Sequence, residues 1–200
     1  MTQEEIKKQK CLTYSQLVDY LLAKYGKATC DYFARDTYKT KNRNVSRSNE
    51  GLICHHIDED KAIMLSNPKW AALCPFEWQK ADRLVYCNYL EHFLLHIKIA
   101  EEPRHPDALE KQLPGVGGAI NYIIPELNDY YNGFKYTQPW RLIAFQKIAE
   151  NYTEYIFLLK YFWSILQSNE LYKKRYSIEK ISSGYTSAPY KNILKELKNA

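Results

Sequence analysis

Four of the chain's five histidines fall in two tight pairs, and any fold it adopts has to place both. His55 and His56 are adjacent, in Gly51-Leu52-Ile53-Cys54-His55-His56-Ile57-Asp58. His92 and His96 are four apart, in Leu90-Glu91-His92-Phe93-Leu94-Leu95-His96. Imidazole titrates near neutrality and is the commonest metal ligand. Residues i and i+4 of a helix share a face, so His92 and His96 can hold one metal ion together. Neighbours on a strand point to opposite faces, so His55 and His56 divide: one faces a metal, the other a substrate. That division is a hydrolytic site in outline.

With 200 residues, 46% of them hydrophobic, the chain can bury a real core as one ordinary domain or a small module with an appendage. Tyrosine is frequent, at 18 residues, and suits helix packing, interfaces and base stacking alike. The net charge of +5 is mild, compatible with nucleic acid without requiring it. Its distribution says more. Arg35, Lys39, Lys41, Arg43 and Arg47, opposed by Asp36 alone, run straight into the histidine pair. A second basic cluster is Lys173-Lys174-Arg175.

The five cysteines (Cys11, Cys30, Cys54, Cys74 and Cys87) include no CxxC, and their spacing fits neither a zinc knuckle nor a disulfide framework. Reduced thiols are the simple reading. Met1-Thr2-Gln3-Glu4-Glu5 has no apolar signal core. The most apolar stretch, Tyr155 to Leu166, is too short to span a bilayer and contains Lys160. The expectation is a cytoplasmic protein with no membrane partner.

Apolar spacing predicts a helix over 12–25, with Ser15 as cap and Gly26 as stop. Residues 27–50 read as irregular, 52–57 as a short strand, and 58–82 as a long connection with a short helix near Trp70 to Leu73. Leu84 to Cys87 is a second strand, feeding a helix from Tyr89 to Ala100. Pro114-Gly115-Val116-Gly117-Gly118 reads as a flexible turn before a helix from Ala119 to Tyr131. Pro139 then opens the longest helical pattern, Trp140 to Asn169, whose aromatic run (Tyr152, Tyr155, Phe157, Tyr161, Phe162, Trp163) reads as core or a dimer seam. A last short helix is predicted over Tyr190 to Lys198.

The segment from Gly51 to Ile97 resembles the HNH endonucleases, whose site is the ββα-metal fold. Leu52-Ile53-Cys54-His55-His56-Ile57 is similar to the family's first strand, Leu84-Val85-Tyr86-Cys87 to its second, and Glu91-His92-Phe93-Leu94-Leu95-His96 to its metal-binding helix. The resemblance implies a mainly α protein with a small embedded ββα-metal motif. An N-terminal helix and basic loop (1–50) would precede a core over 51–101, and a helical region over 102–200 would pack on that core. It implies cleavage of DNA phosphodiester bonds, with His56 as general base and one divalent metal held by His55, His92 and His96. Imidazole ligands suit zinc, nickel or manganese better than magnesium. Asp58, within Asp58-Glu59-Asp60, is a candidate support that orients a histidine or adds an oxygen ligand. Arg43 and Arg47 are candidate phosphate contacts. The C-terminal helices are a candidate homodimer contact.

The chain departs from the family at one point. The family's middle Asn, which ties down the connecting loop and fixes the base, falls by spacing at Asp82 or Arg83. Asp82 can offer an equivalent oxygen, whereas Arg83 only donates. Asn88 sits where a helix cap belongs. Two other classes therefore stay open: an HNH-fold binding module for DNA or protein without catalysis, and an all-helical interaction protein with incidental histidines.

Overall fold

A computed structural model describes residues 2–107, 114–185 and 188–199. Helices dominate, and among the described residues there is one sheet, of two strands. The elements in chain order are α1 (Gln3–Lys10), α2 (Tyr14–Tyr25), β1 (Ile53–His56), α3 (Pro68–Ala71), β2 (Leu84–Cys87) and α4 (Tyr89–Glu101). After them come α5 (Val116–Gly118), α6 (Ile124–Tyr131), α7 (Pro139–Gln146), α8 (Tyr152–Ser168), α9 (Glu170–Arg175), α10 (Ile178–Ile181) and α11 (Lys191–Lys198).

β1 and β2 pair antiparallel, with His55 opposite Val85 and His56 opposite Leu84. The sheet is followed at once by α4, and the junction is firmly made. The Asn88 side chain accepts from the backbone N–H of Leu90 (2.9 Å) and Glu91 (3.0 Å), while Glu91 returns a carboxylate to the Asn88 N–H (2.9 Å). This reciprocal cap satisfies donors that a helix N-terminus leaves orphaned. Glu91 is fully buried, and Lys24 (2.8 Å) and the Tyr25 hydroxyl (2.8 Å) on α2 hold its carboxylate. The first turn of α4 is thereby locked to both the sheet and α2.

α4 is the central helix. Leu90, Phe93, Leu94 and Ile97 are buried in one core that also takes Ile6 of α1, Leu17 and Leu21 of α2, Ile120, Ile124, Tyr155, Phe162 and Leu197. All three regions distinguished along the sequence contribute to it. A smaller cluster of Tyr32, Phe33, Tyr38, Val45, Leu52 and Tyr86 fills the space under the basic loop. Among the described residues, no helix is long and apolar enough to cross a membrane.

Several elements differ from the periodicity reading. α1 is polar and buries only Ile6 and Gln9, so no apolar stripe announces it. Thr13, with Gln16 in a reciprocal capping box, opens α2 rather than Ser15. The long pattern from Trp140 to Asn169 is two helices. Between α7 and α8 the Ile148 carbonyl is taken by the Asn151 N–H (2.9 Å) and the Tyr131 hydroxyl (2.7 Å), which stops the helical ladder there. The tight turn preserves the three-to-four spacing, so Phe145 and Ile148 stay buried on the same core as Tyr155 and Leu159. In α8 the aromatic run is mainly packing, with Tyr155 and Phe162 fully buried.

Removing the cap at the sheet–helix junction isolates its contribution. Asn88→Ala is expected to cost about 1–2 kcal/mol, seen as a lower urea midpoint with an unchanged slope.

Candidate metal centre

β1 sends its two histidines to opposite faces, as a strand must. His55 faces α4, where His92 and His96 project one turn apart. The three rings gather closely, with centroids 5.3 Å (His55–His92), 5.4 Å (His55–His96) and 4.8 Å (His92–His96) apart. Immediately after β1 a tight helical turn, Ile57–Asp60, bends the chain back and brings Glu59 to the same point. Its Oε2 lies 3.5 Å from His55 Nδ1 and 3.4 Å from His96 Nε2. One ligand atom from each of His55, Glu59, His92 and His96 lies within 4.8 Å of all the others. Bond lengths of 2.0–2.1 Å around a tetrahedral ion put neighbouring ligand atoms roughly 3.3 Å apart. Two of the distances already sit close to that value.

Hydrogen bonds choose which nitrogen each ring offers. The Tyr14 hydroxyl donates its one proton to the Ile57 carbonyl (2.8 Å), so it accepts from His55 Nε2–H (3.0 Å). His55 Nδ1 is left with a free lone pair, buried and without a hydrogen-bond partner among the described residues. The Gly115 carbonyl accepts from His96 Nδ1–H (3.0 Å), which frees Nε2 toward Glu59. Burial without a partner also describes His92 Nδ1. Orphaned buried nitrogens cost free energy unless something fills them.

The electrostatics agree. Burial lowers His55 and His92 well below the ordinary imidazole range, with neighbouring rings adding to the effect, and lowers His96 to about 4. Burial also pushes the Glu59 carboxyl up to about 8. Three neutral imidazoles around a desolvated carboxyl form a poor resting arrangement alone and a good cage for a cation. The set of three nitrogens and an oxygen fits zinc, nickel or manganese better than magnesium, which prefers oxygen throughout.

His56, on the other face of β1, is equally buried. Its ring lies against Tyr32 (centroids 4.4 Å apart), and its Nε2–H donates to Gln79 Oε1 (2.9 Å). Gln79 is fully buried and its amide donates onward to the Leu65 carbonyl in the long connection (3.3 Å). The free Nδ1 of His56 has no hydrogen-bond partner among the described residues and lies 4.0 Å from Glu59 Oε1. Desolvation lowers His56 to about 4, so its ring is neutral at pH 7.

Several sequence expectations need correction. Asp58 is buried, but it orients no histidine. It forms a forked pair with Arg83 (2.7 and 2.6 Å) and a second ion pair with Lys61 (2.8 Å), tying the turn after β1 to the approach to β2. Its neighbour Glu59 joins the histidines instead, because the tight turn rotates one carboxylate in and the other away. Asp82 is exposed and stands outside the centre. Arg47 is already engaged: it pairs with Glu50 (2.7 and 2.5 Å), donates to the Tyr25 carbonyl and stacks on Tyr86. Arg43 is exposed and does not line the cleft described next. The glycine run is no loose turn, since Gly115 clasps His96. A Cβ at Gly115, where φ is +75°, would sit 2.6 Å from the His96 carbonyl, and one at Gly118 would sit 2.7 Å from His96 Nδ1. Sequence spacing carried no sign of Tyr14 or Gln79.

A cleft of about 910 Å³ reaches the centre at Glu59, His92 and His96. Lys41, stacked 4.3 Å over Tyr32, lines one side with Ser46 and Ser48, and Asn121, Tyr122 and Trp140 line another part. Lys41 is the one Lys or Arg among the described residues of its lining. No protein-family model matches this chain, and no curated protein and no solved structure matches it.

The purified protein is expected to carry one zinc-class ion per chain by elemental analysis. Stripping it with chelator should lower Tm by about 10 °C, given roughly 4 kcal/mol of linkage at a thousandfold excess over Kd and about 2–4 °C per kcal/mol for this size. Tyr14→Phe keeps the ring and removes the hydroxyl that sets the His55 tautomer. It should weaken zinc binding about 10–100-fold in a chelator competition. Gly118→Ala should weaken it at least as much, by displacing His96.

Proposed function

We propose that this protein is a metal-dependent endonuclease of the HNH type that hydrolyses DNA phosphodiester bonds. On this reading the span from β1 to α4 is its ββα-metal site. The observation that carries the proposal is Gln79. Its carboxamide joins the buried His56 to the Leu65 carbonyl of the long connection. It thus holds a base and ties down a loop at once, the two tasks the family resemblance assigns to an Asn. Spacing had put that residue at Asp82 or Arg83. The Ala81–Arg83 turn intervenes before β2, and the carboxamide comes from three residues earlier than Asp82.

On this reading His55, His92, His96 and Glu59 would hold the ion, which when bound supplies Lewis acidity at the phosphate. His56, neutral and pinned at Nε2, presents Nδ1 as the proton acceptor. Water gives its proton to Nδ1, and its oxygen bonds to phosphorus. The bond from phosphorus to the departing sugar oxygen breaks, and that oxygen takes a proton from solvent. Lys41 offers the positive charge nearest the cleft for the phosphate backbone.

One observation favours a second reading. Glu59 makes a fourth protein ligand, and a shell of four protein ligands is closed, as in structural zinc sites. Under that reading the ion staples a binding module and no bond is cut.

The test is cleavage of a plasmid and of a single-stranded DNA circle by purified protein with zinc, nickel, manganese or magnesium. The nuclease reading expects metal-dependent nicking or linearisation, lost at least about 100-fold in His56→Ala. It expects a loss of about 10–100-fold in Gln79→Ala, with one ion per chain retained in both. A protein that keeps its ion and cuts nothing with any metal belongs to the second reading.

A further inference from the structure

One part of the cleft lining is built differently from the part that carries Lys41. After α5 the chain passes through one π-helical turn, Ala119–Ile123, before α6 begins. A π turn widens the helix by a residue and is frequent at functional sites. Here it places Asn121, Tyr122 and Ile123 along the cleft. Trp140, the second residue of α7, joins them. Both rings are large and open: Tyr122 is 50% exposed and Trp140 is 40% exposed. Trp140 is also braced, since the Arg141 guanidinium lies 5.0 Å from its ring centre and is itself held by Glu126.

Exposed aromatic rings that line a cleft suit a ligand with a π face. Duplex DNA hides its base faces in the stack and is held chiefly through its phosphates, whereas unpaired bases offer those faces freely. With Lys41 the one Lys or Arg among the described lining residues, this cleft is poor in phosphate contacts and rich in stacking surface.

We propose that Tyr122 and Trp140 form a stacking subsite for an unpaired nucleobase, which makes single-stranded nucleic acid the substrate class of this centre. The proposal rests on the hydrolytic reading for its chemistry and on the cleft for its binding.

The experiment is fluorescence anisotropy with zinc-loaded full-length protein, using a labelled 12-nucleotide single strand and the matching duplex. The single strand is expected to bind roughly 10-fold tighter. Tyr122→Ala and Trp140→Ala should each weaken single-strand binding roughly 5–100-fold, leave duplex binding unchanged and leave zinc content at one per chain. Trp140→Phe, which keeps a stacking face, should recover most of the affinity. Equal or tighter duplex binding, alanine variants that bind the single strand like wild type, or no binding of either probe would each overturn the proposal. The two readings fail separately. Stacking-dependent binding with no cleavage under any metal removes the nuclease and leaves the subsite. Metal-dependent cleavage together with single-strand binding that is indifferent to both aromatic variants removes the subsite and leaves the nuclease.

Discussion

Four ionisable side chains are buried against one another where β1 meets α4, and the surrounding structure is arranged to keep them there. Gathering three imidazoles and a carboxyl away from water is unfavourable for each group separately. It becomes favourable when a cation replaces the lost hydration. The scaffold meets this demand by fixing both donors of the pair of elements. β1 is held in register by β2. The first turn of α4 is held by Asn88, Glu91, Lys24 and Tyr25. An error of an ångström at either element would separate His55 from His92 and His96.

Around that centre, His55, His96 and the neighbouring His56 each have their orientation chosen by a carbonyl or hydroxyl from a distant part of the chain. Tyr14 comes from α2, Gly115 from the segment after α4, and Gln79 from the long connection. These partners determine which nitrogen carries the proton, hence which is free for an ion or a substrate proton. Three tautomers are thus set by three non-local contacts. The same design explains why the glycine run cannot be a spacer: its backbone packs on the His96 ring at a distance that leaves no room for a side chain.

Local information was enough for much of this. Short β-like runs and three-to-four spacing located β1, β2 and α4, and the family resemblance picked out the three imidazoles, His55, His92 and His96, that converge. What local information missed was contributed by tight turns and by long-range contacts. Glu59 and Asp58 are adjacent acids that periodicity cannot tell apart. Only the turn at Ile57–Asp60 sends one to the histidines and the other to Arg83. Spacing from His92 points to Asp82 or Arg83, whereas the carboxamide that reaches His56 is Gln79, ahead of the Ala81–Arg83 turn. Arg47 looked like a free cation because its partners, Glu50 and the Tyr25 carbonyl, are visible only in three dimensions. The helix break at Ile148 was invisible because a tight turn keeps the apolar spacing intact.

Glu59 is the residue through which the two faces of β1 communicate. One of its oxygens lies among the ligand nitrogens and the other faces the free nitrogen of His56. Glu59 lines the cleft and keeps 15% of its side chain exposed, whereas His56 is fully buried and does not line it. Both readings of the centre therefore turn on Glu59, which lines the cleft, approaches His55 and His96, and faces His56 as well.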